Sequence, residues 1–192
     1  MISEHFEESG HPPPESALNG HQKDQTLLVR PAQVTELEQI IRIEAICGLR
    51  HWGRENLLGL MSENDGVLLV AAWHQEEKQT VASIIPLPAD VCGFLYGRVA
   101  VDEFEIYNIG ILPQVRKKGI GASLLTAGLR VAFARGAMTS FIEVRVTNKS
   151  ALEFYLRQGF VICGRRNLYY QDPLEDAVVM KRTISALPEK HS

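Results

Sequence analysis

The stretch that decides the reading is NIGILPQVRKKGIGASLL, residues 108–125. It runs from an extended apolar segment through Pro113 into Arg116, Lys117 and Lys118, and then Gly119 and Gly121 open an apolar helix. Basic residues and glycines at a helix start mark a place where backbone approaches an anion. The first N–H groups of the helix have no intrahelical partner, its dipole favours negative charge, and glycine has no Cβ to hold a ligand off. Three kinds of phosphate site begin in this way. A Walker A loop, G-x-x-x-x-G-K-[ST], needs its lysine after the glycines, whereas here the basic residues precede them. A dinucleotide fingerprint, G-x-G-x-x-G, is a closer rival, because Gly119-Ile120-Gly121 follows a strand and an acid, Glu143, lies roughly twenty residues on. Against it stand Leu124 at the third glycine position, Pro113 and the basic run where a tight turn belongs, and the early place of Glu143 in its strand. What remains is R-x-x-G-x-G at 116–121, a cradle of successive N–H groups for a pyrophosphate with lysines as outer point charges.

Working outward, the helical period predicts a helix from Gly119 to Arg135 that buries Ile120, Leu124, Leu125, Gly128, Val131 and Ala132, with Gly136 as its stop. TSFIEVRV alternates as a strand, with Ile142, Val144 and Val146 on one face and Phe141, Glu143 and Arg145 on the other. Asn148 or Thr147 caps a short helix, KSALEFYLRQ, that Gly159 ends. FVICGRRNLYY and LEDAVVMKRTI read as strands joined at Gln171-Asp172-Pro173. In the first half, TLLVRPA is a strand, and QVTELEQIIRIEAICGL is a helix with Val34, Leu37, Ile40, Ile41 and either Ile43 or Glu44 inward. HWGRENLLGLM is a short helix, and GVLLVAAW, VCGFLYGRVAV and EFEIYNIGIL are strands. The order β-α-α-β-β-β-α-β-α-β-β predicts an α/β (α+β) fold: a mixed, mostly antiparallel sheet of six to seven strands with helices on both faces.

Composition narrows the function classes. Hydrophobic residues make up 45% and charged residues 22% of the 192, with a net charge of −3, which fits one globular domain and not a basic nucleic-acid-binding surface. No apolar run is long enough to span a bilayer and no signal peptide is expected, so the reading is a cytoplasmic protein without membrane or nucleic-acid partners, and a monomer. Cys47, Cys92 and Cys163 lack zinc-ligand spacing and read as reduced thiols, and no metal is expected. Residues 1–25, with three consecutive prolines and few large apolar residues, read as a disordered leader. The domain is placed at 26–184, with a flexible tail at 185–192 and a polar, proline-marked insertion at 74–90.

Three blocks, NIGILPQVRKKGIGASLL, IEVRVTNKSALEFYLRQGF and RRNLYYQDPLEDAVVM, together resemble the GCN5-related N-acetyltransferase (GNAT) superfamily and, within it, the RimI-like ribosomal-protein-alanine N-acetyltransferases. The likeness is strong over residues 91–183 and looser over VTELEQIIRIE and HWGRENL; the leader and the insertion have no counterpart in it. It implies a GNAT fold and acetyl-CoA as donor cosubstrate. Arg116, Lys117, Lys118, Gly119, Ile120, Gly121 and Ala122 would hold the pyrophosphate; Ile109, Gly110, Ile111 and Asn148 would hold the pantetheine arm. Glu143 matches the general base and Tyr155 the general acid. Tyr169 and Tyr170 would wall a peptide slot that Trp52 closes. Glu103, with Asp102, Glu105, Asp172, Glu175 and Asp176, would draw in a basic tail. The implied acceptor is a protein N-terminus, the alanine of the eighteenth small-subunit ribosomal protein. Other protein N-termini, lysine side chains, or a non-catalytic acyl-CoA-binding regulator stay open. On bare residue grounds Glu143 is also an ordinary strand residue facing solvent, and Tyr155 an ordinary core tyrosine. At Gly110 a bulge or close backbone approach is expected.

Overall fold

A computed structural model describes residues 25–75 and 90–185. The leader, most of the 74–90 insertion and the end of the tail lie outside the described residues. Among the described residues seven strands, β1 (Gln25–Pro31), β2 (Gly66–Gln75), β3 (Asp90–Ala100), β4 (Glu103–Ile111), β5 (Thr139–Arg145), β6 (Val161–Gln171) and β7 (Leu174–Thr183), form one sheet in the order β1-β2-β3-β4-β5-β7-β6. Every pairing is antiparallel except β4 with β5. The helices are α1 (Leu37–Cys47), α2 (Arg54–Ser62), α3 (Ile120–Ala134) and α4 (Lys149–Arg157). The order of elements expected from the sequence is the one observed. No helix among the described residues is long and apolar enough to cross a membrane.

The sheet has a core on each face. On one, Leu95, Phe104, Ile106, Ile142 and Val144 pack with Leu124, Leu125 and Leu129 of α3 and Tyr155 of α4. On the other, Val70, Phe94 and Tyr96 pack with Leu37, Ile40 and Ile43 of α1 and Leu57 and Leu60 of α2. β3 is covered on both sides, which is why it reads as an almost unbroken apolar run. Helix α1 starts where the Glu36 carboxylate accepts from Gln33 N at 2.8 Å and from Arg30 Nη2 at 2.6 Å, and it stops at Gly48 with φ 63°. Both Ile43 and Glu44, alternatives in the sequence pattern, are buried. In α3, Leu129 is buried and the expected Val131 is only half-buried. The stripe runs Leu125, Gly128, Leu129, Ala132, and residue 131 falls on its margin.

Two irregularities in the middle of the sheet decide which way β4 and β5 present their side chains. Between β3 and β4, Gly97 faces Ile106 and Tyr96 faces Asn108, so Tyr107 is an extra, unpaired residue. That bulge reverses the alternation of β4. Phe104 and Ile106 point to the α3 side, whereas Asn108 beyond the bulge reaches Tyr96 on the α1–α2 side. Gly97 permits it, because a Cβ there would lie 2.2 Å from Glu105 O. Of the bulge or close approach expected at Gly110, the bulge is three residues earlier; Gly110 pairs regularly with Phe94 and leaves room for the close approach of its ring, 2.5 Å from where a Cβ would stand. On the other edge of β4, the parallel ladder joins Glu103–Ile106 to Thr139–Ile142 and goes no further. Beyond it β4 and β5 part.

The second half holds the partner edge. Asn148, not Thr147, caps α4: its Oδ1 accepts from Ala151 N at 3.2 Å. The β6–β7 hairpin turns through the cis Asp172–Pro173 peptide, and its ladder is irregular between Arg166 and Tyr170, where Leu168 has φ 51°. Arg145 fastens the turn to β5 by donating to Asp172 O at 2.8 Å, Pro173 O at 3.2 Å and Glu175 Oε2 at 3.2 Å. Cys92 is buried, Cys47 half-buried and Cys163 exposed, all as free thiols.

Two glycines give opposite expectations. Gly97→Ala forces a methyl onto the Glu105 carbonyl at the bulge and is expected to cost about 1–3 kcal/mol in urea unfolding. Gly59→Ala, in the interior of α2 with nothing within 4 Å of the new methyl, is expected to gain about 0.5–1 kcal/mol.

Candidate active site

Where β4 and β5 diverge, the sheet opens into a cavity of about 1030 Å³. Its walls are residues 105–109 of β4, 142–145 of β5, the start of α4, the α1–α2 connection at 47–52, and 169–172 of the β6–β7 hairpin. Two antiparallel half-sheets meet along one short parallel ladder, and the seam splits on the side where these connections gather.

Glu143 is the first β5 residue past the last pair. Ile142 and Val144 are fixed in the core with α3, so Glu143 faces the other way, toward α1, α2 and the hairpin. Its Oε1 lies 2.9 Å from Arg166 Nε in an ion pair, and its side chain is largely shielded. Tyr169 stands on the same carboxylate. Its hydrogen bond to Glu143, with burial adding to it, pushes its pKa up to about 12. Tyr170 donates its hydroxyl proton to Glu143 O at 3.3 Å, and its ring lies 4.1 Å from the Arg145 guanidinium carbon. Burial, then the Glu143 charge, raises the Tyr170 pKa, and Arg145 opposes them.

Tyr155 approaches from the opposite face. It comes off α4, packs edge-on against Phe154 and Phe160 with ring centroids 5.0 and 5.5 Å away, and still lines the cavity. Burial, with Tyr170 second, raises its pKa well above the ordinary phenol value, so it keeps its proton at neutral pH. Asn148 spends its oxygen on the α4 cap and on Ser150 Oγ at 3.0 Å; its side-chain amide N–H groups remain at the cavity edge.

The glycine-rich loop runs on from β4. Lys117 and Gly119 both have positive φ, 62° and 83°, which curls the backbone ahead of α3. Arg116 N donates to Pro113 O and Ser123 N to Gly119 O, but no N–H from Lys117 to Ala122 meets a protein acceptor among the described residues. This run of free donors at a helix start fits a pyrophosphate, and a Cβ on Gly119 would meet nothing within 4 Å. The Arg116 guanidinium is turned inward, with Nε 3.0 Å from Ile111 O and Nη2 3.4 Å from Cys47 Sγ, so it braces the loop against β4. Lys117 and Lys118 are exposed and have no side-chain partner among the described residues, whereas Arg116, also exposed, is tied to β4 and Cys47.

Of the residues singled out in the sequence, the fold brings Ile109, Glu143, Asn148, Tyr155, Tyr169 and Tyr170 to one cavity, with Trp52, Glu105 and Asp172. Gly110 and Ile111 lead from it to the 116–122 loop. Glu103 sits at the far end of β4 opposite Thr139, away from the cavity. Glu175 and Asp176 are engaged in the hairpin, the first by Thr147 N and Arg145, the second by Leu168 N and Arg165. The sequence reading missed Asn108, Tyr107 and His51, which line the cavity, and the buried pair Glu44 and Tyr96 behind Asn108. Among the described residues no three His, Cys, Asp or Glu side chains are grouped as a metal site.

The Tyr169 phenol is expected to titrate near 12, followed as the phenolate absorbance lost in Tyr169→Phe. In Glu143→Gln the same signal should move down toward the ordinary tyrosine value, because the carboxylate that disfavours the phenolate is gone.

Residues 37–160 match the acetyltransferase (GNAT) family. The chain is 33% identical over 97 residues to the ribosomal protein bS18-alanine N-acetyltransferase of Escherichia coli (strain K12), covering 50% of this chain and 66% of that protein, just short of two thirds of its length. It is 27% identical over 165 residues to an N-alpha-acetyltransferase of Sulfurisphaera tokodaii, covering 79% of this chain and 90% of that one. The crystal structure of the ribosomal-protein-S18-alanine N-acetyltransferase from Escherichia coli superposes with a TM-score of 0.66 at 24% identity, over 87% of this chain and 99% of its own. The split sheet, the free N–H loop and the match over most of the domain lead to one conclusion: this chain belongs to the acetyltransferase (GNAT) family.

Proposed function

We propose that this protein transfers the acetyl group of acetyl-CoA to the N-terminal amine of a protein, with the N-terminal alanine of ribosomal protein bS18 as acceptor. The observation that carries the reading is that a carboxylate and a protonated phenol, Glu143 and Tyr155, line one cavity from opposite faces of the split sheet. The names of the relatives support the acceptor class.

The donor enters from the α3 side. The N–H groups of residues 117–122 and the α3 dipole take its pyrophosphate, Lys117 and Lys118 add charge, and the unpaired edge of β4 at Ile109–Ile111 and the Asn148 amide take the pantetheine arm. The acceptor enters from the α1–α2 side, between Trp52 and the tyrosine pair Tyr169–Tyr170. An α-amine has a pKa near 7.7–8.0, so freeing its lone pair at neutral pH costs only about one unit. Glu143 takes that proton, directly or through one water, once the ammonium replaces the Arg166 guanidinium on its carboxylate. Glu143 passes that proton on to solvent and is a carboxylate again. The N–C bond then forms as the C–S bond breaks, the amine sheds its extra proton to Glu143, and Tyr155 gives its proton to the departing sulfur. Position supplies much of the rate, since both reactants are held across one gap. An acceptor amine with a low pKa suits a single carboxylate; a lysine amine, near 10.4, would need far more.

The test is a panel of N-terminal hexapeptides with acetyl-CoA that varies the first two residues and includes an N-blocked lysine peptide. Free N-termini with alanine first should be turned over and the N-blocked peptide should not. Glu143→Gln should lower kcat/KM about 10²–10⁴-fold while acetyl-CoA binding by calorimetry is kept. Tyr155→Phe should lower kcat without raising the acceptor KM. Acetyl-CoA binding with no peptide acetylated would leave an acyl-CoA-binding module and end the enzyme reading.

A further inference from the structure

Behind the acceptor side of the cavity lies a polar chain that none of the roles above uses. Glu44 of α1 and Tyr96 of β3 are both 0% exposed, in a core otherwise built of Leu37, Ile40, Phe94 and their neighbours. Tyr96 Oη is 2.6 Å from Glu44 Oε1 and 2.6 Å from Asn108 Nδ2. The other Glu44 oxygen faces Trp52 N at 3.4 Å and His51 Nδ1 at 3.4 Å. Asn108 Nδ2 also reaches Arg50 O at 3.3 Å. A buried polar chain is retained only if its members satisfy one another, so the direction of each hydrogen bond can be worked out.

The direction is fixed at one end by a backbone carbonyl. Arg50 O can only accept, so the end of the Asn108 side chain that meets it must be the NH₂ group. The same nitrogen donates to Tyr96 Oη, which must therefore give its own proton to Glu44. Burial, reinforced by the Glu44 carboxylate, raises the Tyr96 pKa far above the ordinary value, so that proton stays in place. With both N–H groups of the amide committed, Asn108 has one group left. Its Oδ1 has no partner among the described residues, and Asn108 lines the cavity. It stands just past the Tyr107 bulge on β4, as Glu143 stands just past the last pair on β5, and both face the α1–α2 side of the split.

We propose that Asn108 Oδ1 is the second hydrogen-bond acceptor for the incoming amine, and that Glu44, acting through Tyr96, is the positioning residue that keeps this oxygen turned to the cavity. The proposal rests on the acetyl-transfer reading above. A neutral primary amine has two N–H groups and one lone pair. With one N–H on Glu143 or its water and the other on Asn108 Oδ1, the lone pair is left pointing across the split toward the thioester carbonyl. Were the amide turned over, two N–H donors would face the amine and compete for that lone pair.

The experiment uses the full chain and two acceptors, an N-terminal alanine peptide and the same peptide with an N-methylalanine, whose neutral amine has a single N–H. Wild type should lose about tenfold or more in kcat/KM on methylation. Asn108→Ala should lose about 10–100-fold on the alanine peptide, as for one hydrogen bond in a closed site, and lose little more on methylation, with the KM for acetyl-CoA unchanged. Tyr96→Phe and Glu44→Gln should each lower kcat/KM for the alanine peptide, and neither should lower it further in the Asn108→Ala background, whatever either does to the melting temperature. If Asn108→Ala and methylation act independently, so that their losses multiply, Asn108 does not touch the amine and the proposal is overturned. If the Glu44 and Tyr96 effects persist undiminished without Asn108, the positioning role is overturned and their burden is structural. A wild type that acetylates no peptide overturns the parent reading and this one together. A wild type that does so while Asn108→Ala matches it overturns this one alone.

Discussion

Everything in the site depends on a ladder that stops. β4 and β5 are joined only from Glu103–Ile106 to Thr139–Ile142, and past that point each strand must satisfy its inner edge elsewhere. β5 keeps β7 on its far side along its whole length, and β4 keeps β3, but only with the Tyr107 bulge taking up the change of direction. The gap between them is therefore bordered by two strand edges that do not pair with each other. Flanking apolar residues on both strands are locked into the α3 core, so the residues left to face the gap from the other side, Glu143 and Asn108, have little freedom of orientation.

Charge around the β6–β7 hairpin is arranged in pairs. Glu143 holds Arg166, Arg145 holds Glu175 and the carbonyls of the hairpin turn, and Asp176 holds Arg165. Hydrogen bonds from Thr147 lower the Glu175 pKa, and those from Leu168 and Arg165 lower that of Asp176. Depressed carboxylate values stabilise the folded hairpin above the unfolded pKa, and that contribution fades as pH falls through the folded one. The hairpin that carries Tyr169 and Tyr170 is thus held to β5 by acids that are ionised under neutral conditions. Of the six acids grouped in the sequence as a lure for a basic tail, only Glu105 and Asp172 face the cavity; the rest lie elsewhere or are occupied with the fold.

The second half of the chain was legible because its patterns are local. Glu143, Asn148 and Tyr155 fall within thirteen consecutive residues, on a strand, a cap and a helix whose periods are plain. The loop at 116–122 was legible for the same reason. Glu44, Tyr96 and Asn108 were not: they are separated by 52 and 12 residues, and each alone looks ordinary. The helical period left residue 44 undecided between Ile43 and Glu44 because a wide apolar stripe includes both. Nor does alternation along EFEIYNIGIL place Asn108 beside Tyr96, since one extra residue at Tyr107 inverts it, and nothing in the local sequence marks a bulge whose cause is Gly97 on the neighbouring strand. Glu103 and Glu105 are two residues apart on one face, yet only the second lies close enough to the split to reach the cavity.

The irregular stretch from Arg166 to Tyr170 has a second effect, on the outside of the molecule. Among the described residues β6 is an edge of the sheet, and its residues are almost all exposed, Val161 and Ile162 among them. A straight edge strand of that kind is a template on which another chain can add itself. Here the ladder breaks at Arg166, the backbone turns left-handed at Leu168, and two arginines project from the strand. The kink that sets Tyr169 and Tyr170 over the carboxylate therefore also breaks the regular register that an added strand would need.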